Sequence, residues 1–304
     1  MSDVYYKTLI LILTIALGYF LHRVGIFDKN DARTISKIMM NVTLPSVVIK
    51  NLNGVELNSG ILIAALTGLA VNLLFFSMTF IFSRRGDAED RVVNLFSFCS
   101  FNIGSYAIPV LSTFVGPYAM AGVLAFNYPG TAIGTYGLPP AIGSAIMSGK
   151  SVSPLRSLRD NLLKNVPTVT CFGMLLLCLL HIRLPESVAG VFASISAANA
   201  TLAMLSIGIL LDLNLPKREV LMDLRVVVIR FCAAVICALA IFFFLPAPDE
   251  LRRALTLVVF APISSTMPAI ALHCGYGGSR VAVINSLYLI VSICAMSCAI
   301  FVLY

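Results

Sequence analysis

Cys99-Ser100-Phe101-Asn102-Ile103-Gly104-Ser105-Tyr106-Ala107-Ile108-Pro109-Val110 lies inside a hydrophobic run long enough to cross a bilayer. It places an amide, a glycine, a hydroxyl and a proline where an ordinary spanning helix carries leucines. Proline removes a backbone donor and clashes with the preceding turn, so the helix is expected to break just before Pro109. In lipid the freed backbone groups need partners, and such a break survives only inside the protein or beside a wet cavity. Ser264-Ser265-Thr266-Met267-Pro268-Ala269-Ile270-Ala271-Leu272-His273-Cys274-Gly275 repeats the pattern. Laid over Ser105 to Gly116, its serine, proline and glycine coincide at an offset of 159 residues. Broken helices at matching positions of two halves mark the central site of a carrier built from repeats.

Composition sets the class. Hydrophobic residues make up 59% of the 304 and charged residues only 12%, with a mean hydropathy of +0.95. A soluble domain carries roughly twice that charge, so the chain reads as an all-α polytopic membrane protein. The formal charge of +7 is no sign of nucleic acid, because lysine and arginine also set membrane topology. The eight cysteines all fall in apolar runs without a Cys-x-x-Cys pair; they read as small core hydrophobes, and no metal or cofactor is called for. No His-Glu-x-x-His, intramembrane aspartate pair or Ser-His arrangement points to an enzyme.

Ten apolar segments follow in order, over about 5–21, 35–52, 60–82, 92–115, 118–146, 166–181, 188–211, 225–245, 252–274 and 281–303. The expected organisation is a first five-helix repeat (1–147), a linker (148–165) and a second five-helix repeat (166–304). Asn41-Val42-Thr43-Leu44-Pro45 matches Asn199-Ala200-Thr201-Leu202-Ala203 at an offset of 158, and Asn127 matches Asn285 at the same offset. An odd number of spans per half inverts the second copy, giving a 5+5 inverted repeat with broken, crossing helices in segments four and nine. Basic residues test the count. Loops after the odd segments hold Arg23, Lys29, Arg33, Lys37, Arg84, Arg85, Arg91, Lys150, Arg156, Arg159, Lys164, Lys217, Arg218, Arg225 and Arg280. The other side keeps Lys7, Lys50, Arg183, Arg252 and Arg253, and Arg230 reads as lying one turn inside segment eight, near its basic end. This positive-inside bias puts both termini outside the cytoplasm.

The sequence resembles the auxin efflux carrier family along essentially its whole length. The resemblance rests on Gly18-Tyr19, on Asn41-x-Thr43-Leu44-Pro45, on the element from Asn102 to Pro109, on Leu205-Ser206-Ile207-Gly208 and on Tyr276-Gly277-Gly278. That family includes the plant PIN-formed carriers and bacterial proteins associated with malate, malonate and related acids. Its fold is similar to that of bile acid sodium symporters. The resemblance implies a scaffold of segments 1, 2, 6 and 7 and a transport unit of segments 3–5 and 8–10. It also implies an elevator-like movement of the second across the first, with Gly104, Gly122, Gly130 and Gly134 as small residues on the sliding face. The short linker resembles the bacterial branch, which implies a multi-pass protein of the bacterial inner (plasma) membrane. A departure lies in segment nine, where Pro262 and Pro268 bracket Ser264, Ser265 and Thr266.

The expected substrate site is Asn102, Gly104, Ser105, Pro109 and Asn127 from the first half, with Ser264, Ser265, Thr266 and Pro268 from the second. Amides and hydroxyls there donate hydrogen bonds, and the freed N–H groups at a helix break favour an anion. Asn41, Thr43, Pro45, Asn199, Thr201 and Asn285 are secondary candidates; Asn41 and Asn199 read as hydrogen-bond glue between helices. Asp212 reads as interfacial, and His273 and Lys50 as snorkelling side chains. A crossing rich in donors and free of carboxylates suits a small organic anion such as an auxin-like weak acid, malate or malonate, moved by a secondary transporter. Sodium held by carbonyls and hydroxyls leaves a Na⁺-coupled symporter of the bile acid type open, and a receptor that binds an acid without moving it would use the same site. The expected partners are the anion and membrane lipid, with a homodimer as the assembly considered and no nucleic acid.

Overall fold

The computed structural model describes residues 2–83, 86–149, 153–155, 158–159, 165–211 and 217–304. Arg84, Arg85, Lys150, Arg156, Lys164, Asp212 and most of the 148–165 linker lie outside the described residues, as do the side chains of Lys217 and Arg218. The described chain is helical, without strands. Its elements are α1 (Ser2–Arg23), α2 (Lys29–Ile38), α3 (Leu44–Leu52), α4 (Ser59–Phe82), α5 (Ala88–Phe98), α6 (Ile108–Leu111), α7 (Pro117–Thr131) and α8 (Leu138–Ser148). After the linker come α9 (Val166–Leu179), α10 (Glu186–Ser196), α11 (Ala198–Leu210), α12 (Lys217–Phe244), α13 (Asp249–Val258), α14 (Met267–His273) and α15 (Arg280–Leu303).

Among the described residues, five helical stretches are long and apolar enough to cross a membrane: Val4–Arg23, Ser59–Phe82, Glu186–Leu210, Val220–Phe244 and Arg280–Leu303. The other helices are shorter or interrupted. Leucines and phenylalanines such as Leu13, Phe20, Leu62, Phe172, Leu179, Ile236 and Phe244 stay exposed on their outer faces, an apolar surface too extensive for a protein in water. The chain is a multi-pass membrane protein.

Prolines organise the interruptions by one rule. Pro45, Pro109 and Pro139 each stand in the first turn of a helix, and each is preceded by a widened π turn, at Met39–Thr43, Ile103–Ala107 and Ala132–Gly137. A proline ring clashes with the carbonyl four residues back; widening that turn moves the carbonyl away and lets the chain continue. The break is therefore not just before Pro109. It lies at 99–102, between α5 and the π turn, where Ser100 takes the left-handed φ of 72°. The second break spans 259–266, and Pro268 again opens the helix that follows it.

Packing falls into two groups. In one, α1 runs along α11, α2 also packs on α11, and α3 lies against α9 and α10. In the other, α4 runs along α7, α13 lies against α7 and α12, and α15 against α12 and α5. Both long pairs depend on glycine. A Cβ at Gly208 would stand 2.1 Å from the Ile15 carbonyl oxygen, and one at Gly68 equally close to that of Phe126, at 2.1 Å. Small residues thus let backbones touch where lipid supplies no hydrophobic drive to association. The glycines expected on a sliding face are placed differently. Gly122 abuts Leu251, and Gly130 and Gly134 abut Asn72, all within the second group; Gly104 alone of the four faces α3, at Leu44.

Gly208→Ala is expected to lower stability by about 1–3 kcal/mol, the range for overpacking a filled site. Gly173→Ala, whose added methyl meets nothing within 4 Å, is expected to be neutral or slightly stabilising. Melting temperatures of the two variants in one detergent check the contrast.

Candidate functional site at the two helix breaks

The breaks touch. The backbone N–H of Asn102 donates to the Pro262 carbonyl at 2.7 Å, and the N–H of Ser264 donates to the Ser100 hydroxyl oxygen at 3.4 Å. Each break thereby satisfies donors of the other, which is how irregular backbone persists inside a membrane protein.

The last carbonyls of α5 point away from any helical partner. Arg230, from α12, fills that need. Its guanidinium donates to the carbonyls of Ser97 (3.0 Å), Phe98 and Ser100 (2.6 Å). The side chain is fully buried and stands between the rings of Phe75, Phe101 and Tyr288, at 5.1, 4.9 and 4.9 Å from their centroids. It is not a residue near a basic helix end. Helix α12 begins at Lys217, thirteen residues earlier, or about 20 Å along the axis at 1.5 Å per residue. The second break is capped by a neutral group: the Ser292 hydroxyl of α15 donates to the Phe260 carbonyl.

A cavity of about 170 Å³ opens beside the junction, lined by Asn102, Gly104, Ser105, Asn127, Ser264, Ser265 and Thr266 together with Ser36, Met40, Phe101, Tyr128, Thr135 and Asn165. A second, of about 210 Å³, lies on the other side of Asn102, Ser105 and Ser265 and reaches Pro268, Asn285 and Ser206. The expected substrate residues are thus brought together, except Pro109, which is buried and lines neither cavity. Among the described residues no acidic or basic side chain lines either cavity. The Thr131 hydroxyl donates to Asn127 Oδ1 at 2.8 Å, which leaves the Asn127 amide nitrogen as the donor available to a ligand. Ser264 and Thr266 share a hydroxyl pair at 2.9 Å, and the Ser105 hydroxyl meets Met40 Sδ at 3.7 Å.

The secondary candidates separate by role. Thr43 donates to Asn199 Oδ1 at 2.7 Å, both buried, so this pair ties the turn before α3 to α11. Asn41 is not glue between helices: it is exposed and its amide bonds only the Lys37 carbonyl of its own helix, at 2.8 Å. Thr201 is exposed and Pro45 buried, and neither lines a cavity at the junction.

An ion cluster that sequence reading missed closes one end of the second packing group. Arg280 donates to Asp223 at 2.7 Å and to Asp90 at 2.9 Å, with Glu89 at 3.9 Å. Asp223 is fully buried on α12; reading that helix from Arg225 had left it at a segment edge. The Tyr276 hydroxyl donates to Glu89 at 3.3 Å. Burial, then the Glu89 charge, pushes its phenol up to about 12, so it stays a neutral donor at physiological pH.

These features define a multi-pass membrane protein with a polar cavity where two interrupted helices meet. Residues 3–150 match the model of the auxin efflux carrier and PIN-type membrane transport family, described as Membrane transport protein. No curated protein matches the chain.

Thr43→Val keeps the shape but strands the buried Asn199 amide, and is expected to lower stability by about 1–3 kcal/mol. Asn41→Ala is expected to stay within about 0.5 kcal/mol of the parent. Denaturation of both variants in the same micelle distinguishes the pair.

Proposed function

We propose that this membrane transport protein is a secondary carrier of small organic anions, built as two inverted five-helix halves. The observation that carries this reading is the lining of the junction cavity. Amides and hydroxyls of Asn102, Ser105, Asn127 and Ser264 to Thr266 converge there without a carboxylate that would repel an anion. A cavity of about 150 Å³ takes benzene, so 170 Å³ suits an acid of a few carbons, such as malonate or malate, or part of a larger weak acid. The absence of an acidic lining also removes the side chains that usually carry protons or help to hold Na⁺.

The architecture we propose has ten spans. The five long apolar helices supply half of them, and the interrupted or shorter stretches 29–52, 88–111, 117–148, 166–179 and 249–273 supply the others. The two packing groups support a division into a scaffold (α1–α3 and α9–α11) and a transport unit (α4–α8 and α12–α15). In that arrangement the junction belongs to the transport unit and faces the scaffold through Ser36, Met40 and Leu44. Movement of one group past the other carries the cavity across the membrane, an elevator in which the substrate travels with its site. The bias of basic residues supports an inner-membrane protein with both termini outside the cytoplasm.

The Asn102 side chain makes no hydrogen bond to the described residues, so removing it takes nothing from the fold. Asn102→Ala is expected to weaken carboxylate binding about ten- to a hundredfold, the loss of one donor to a charged acceptor, with an unchanged melting temperature. Normal binding and early melting would instead make the amide structural. Counterflow of a labelled acid in proteoliposomes tests transport itself: exchange is expected, and binding without exchange identifies a receptor. For the movement, cysteines at Met40 and Ser105 are expected to cross-link in the state described here and to lose yield under a substrate gradient. A yield that ignores substrate contradicts the elevator.

A further inference from the structure

Among the described residues, Arg230 is the charged group that stands immediately behind the cavity. Phe101 links the two: its ring stands against the guanidinium and also lines the cavity, and the chain runs from the capped Ser100 carbonyl directly into Asn102. Among the described residues no carboxylate pairs with Arg230. The acidic groups nearest along its own helix and along α5 are already engaged. Asp223 lies seven residues earlier on α12, two turns back on the same face, and binds Arg280, as do Asp90 and Glu89 of α5. The Nε–H of Arg230 has no hydrogen-bond acceptor among the described residues.

A purely structural cap needs donors and no formal charge. Ser292 shows this at the second break, where a hydroxyl does the capping. Burying an unpaired cation costs several kcal/mol, and an ionisable side chain inside a membrane protein marks a functional site. The carbonyls of α5 screen the guanidinium with their dipoles but are neutral, so a full positive charge persists in a medium of low dielectric, where it acts over several ångströms.

We propose that Arg230 is the electrostatic selector of the carrier: from behind the cavity wall, its unbalanced charge sets the preference of the Asn102 site for carboxylates over neutral molecules of the same shape. The inference rests on the organic-anion reading above and names the residue responsible for it. Arg230 does not touch the ligand; it acts through the field it casts past Phe101 and through the position it imposes on Ser100 to Asn102. The substrate carboxylate is the counter-ion that the described residues do not supply.

The test compares charge with shape. Purified full-length protein is titrated with mono- and dicarboxylates, malonate and malate among them, and with the amide counterpart of each. Parent protein is expected to prefer an acid over its amide by tenfold or more. Arg230→Met is expected to lose about tenfold of that ratio (~1.4 kcal/mol) while amide binding holds, and Arg230→Lys to retain the preference. Cys99→Asp keeps the guanidinium cap but sets a carboxylate within its electrostatic reach, since Cys99 lies between Phe98 and Ser100, whose carbonyls Arg230 holds; it is expected to erase the preference as well. This second variant decides the matter if Arg230→Met does not fold. An unchanged acid-to-amide ratio in folded Arg230→Met or in Cys99→Asp overturns the inference, as does equal loss in the Lys and Met variants, which would make geometry the cause. Failure of the parent protein to bind any acid sinks the organic-anion reading first, and is seen without any variant.

Discussion

The guanidinium of Arg230 holding the last carbonyls of α5 is the contact on which the junction depends. A helix that stops inside a membrane protein leaves carbonyls that lipid cannot satisfy. Here a single planar donor reaches two of them, at Ser97 and Phe98, together with the Ser100 carbonyl in the break, and is itself enclosed by three aromatic rings. With α5 ended in this way, Ser100 can turn into its left-handed conformation and Asn102 can reach the second break through Pro262. The cavity is the space left where these two irregular segments lean on each other. Its polar lining follows from the same cause, because residues at a break expose groups that a continuous helix hides.

Much of this was legible in the sequence. The matched Ser, Pro and Gly of the two stretches located both interruptions, and the long apolar runs 5–21, 60–82 and 281–303 end within a few residues of helices, whereas the helix expected from Arg225 begins eight residues earlier, at Lys217. The breaks themselves were misplaced by several residues. The first break was expected just before Pro109, whereas it lies at 99–102 and a π turn carries the chain on into the helix that Pro109 opens; proline tolerates a first turn, and sequence alone does not say how far before it the helix stops. Arg230 was misread for a different reason. A cation near the start of an apolar run looks peripheral until Lys217 is known to begin the helix. No periodicity distinguishes an arginine that snorkels from one that caps a neighbour. Asn41 and Asn199 occupy matching positions in matching motifs, yet only Asn199 faces another helix.

The π turns at Met39–Thr43, Ile103–Ala107 and Ala132–Gly137 give the interrupted helices a shared local grammar. Each lets a proline remain in a membrane helix without a wide break. All three contribute directly to the cavity, through Gly104 and Ser105 in one, Thr135 and Tyr136 in another and Met40 in the third. Backbone irregularity is therefore concentrated around one place, while the long pairs α1 with α11 and α4 with α7 pack backbone to backbone over glycine.

The most direct test of this account is an experimental density map of the protein with a saturating carboxylate bound. The account predicts ligand density in the cavity bounded by Asn102, Ser105 and Ser264 to Thr266, with a carboxylate oxygen within hydrogen-bond distance of the Asn102 amide and the guanidinium of Arg230 intact behind Phe101. Density in the apolar groove between α4, α7 and α9, lined by Leu62, Leu124, Pro129 and Phe172, with the junction cavity empty, would contradict it.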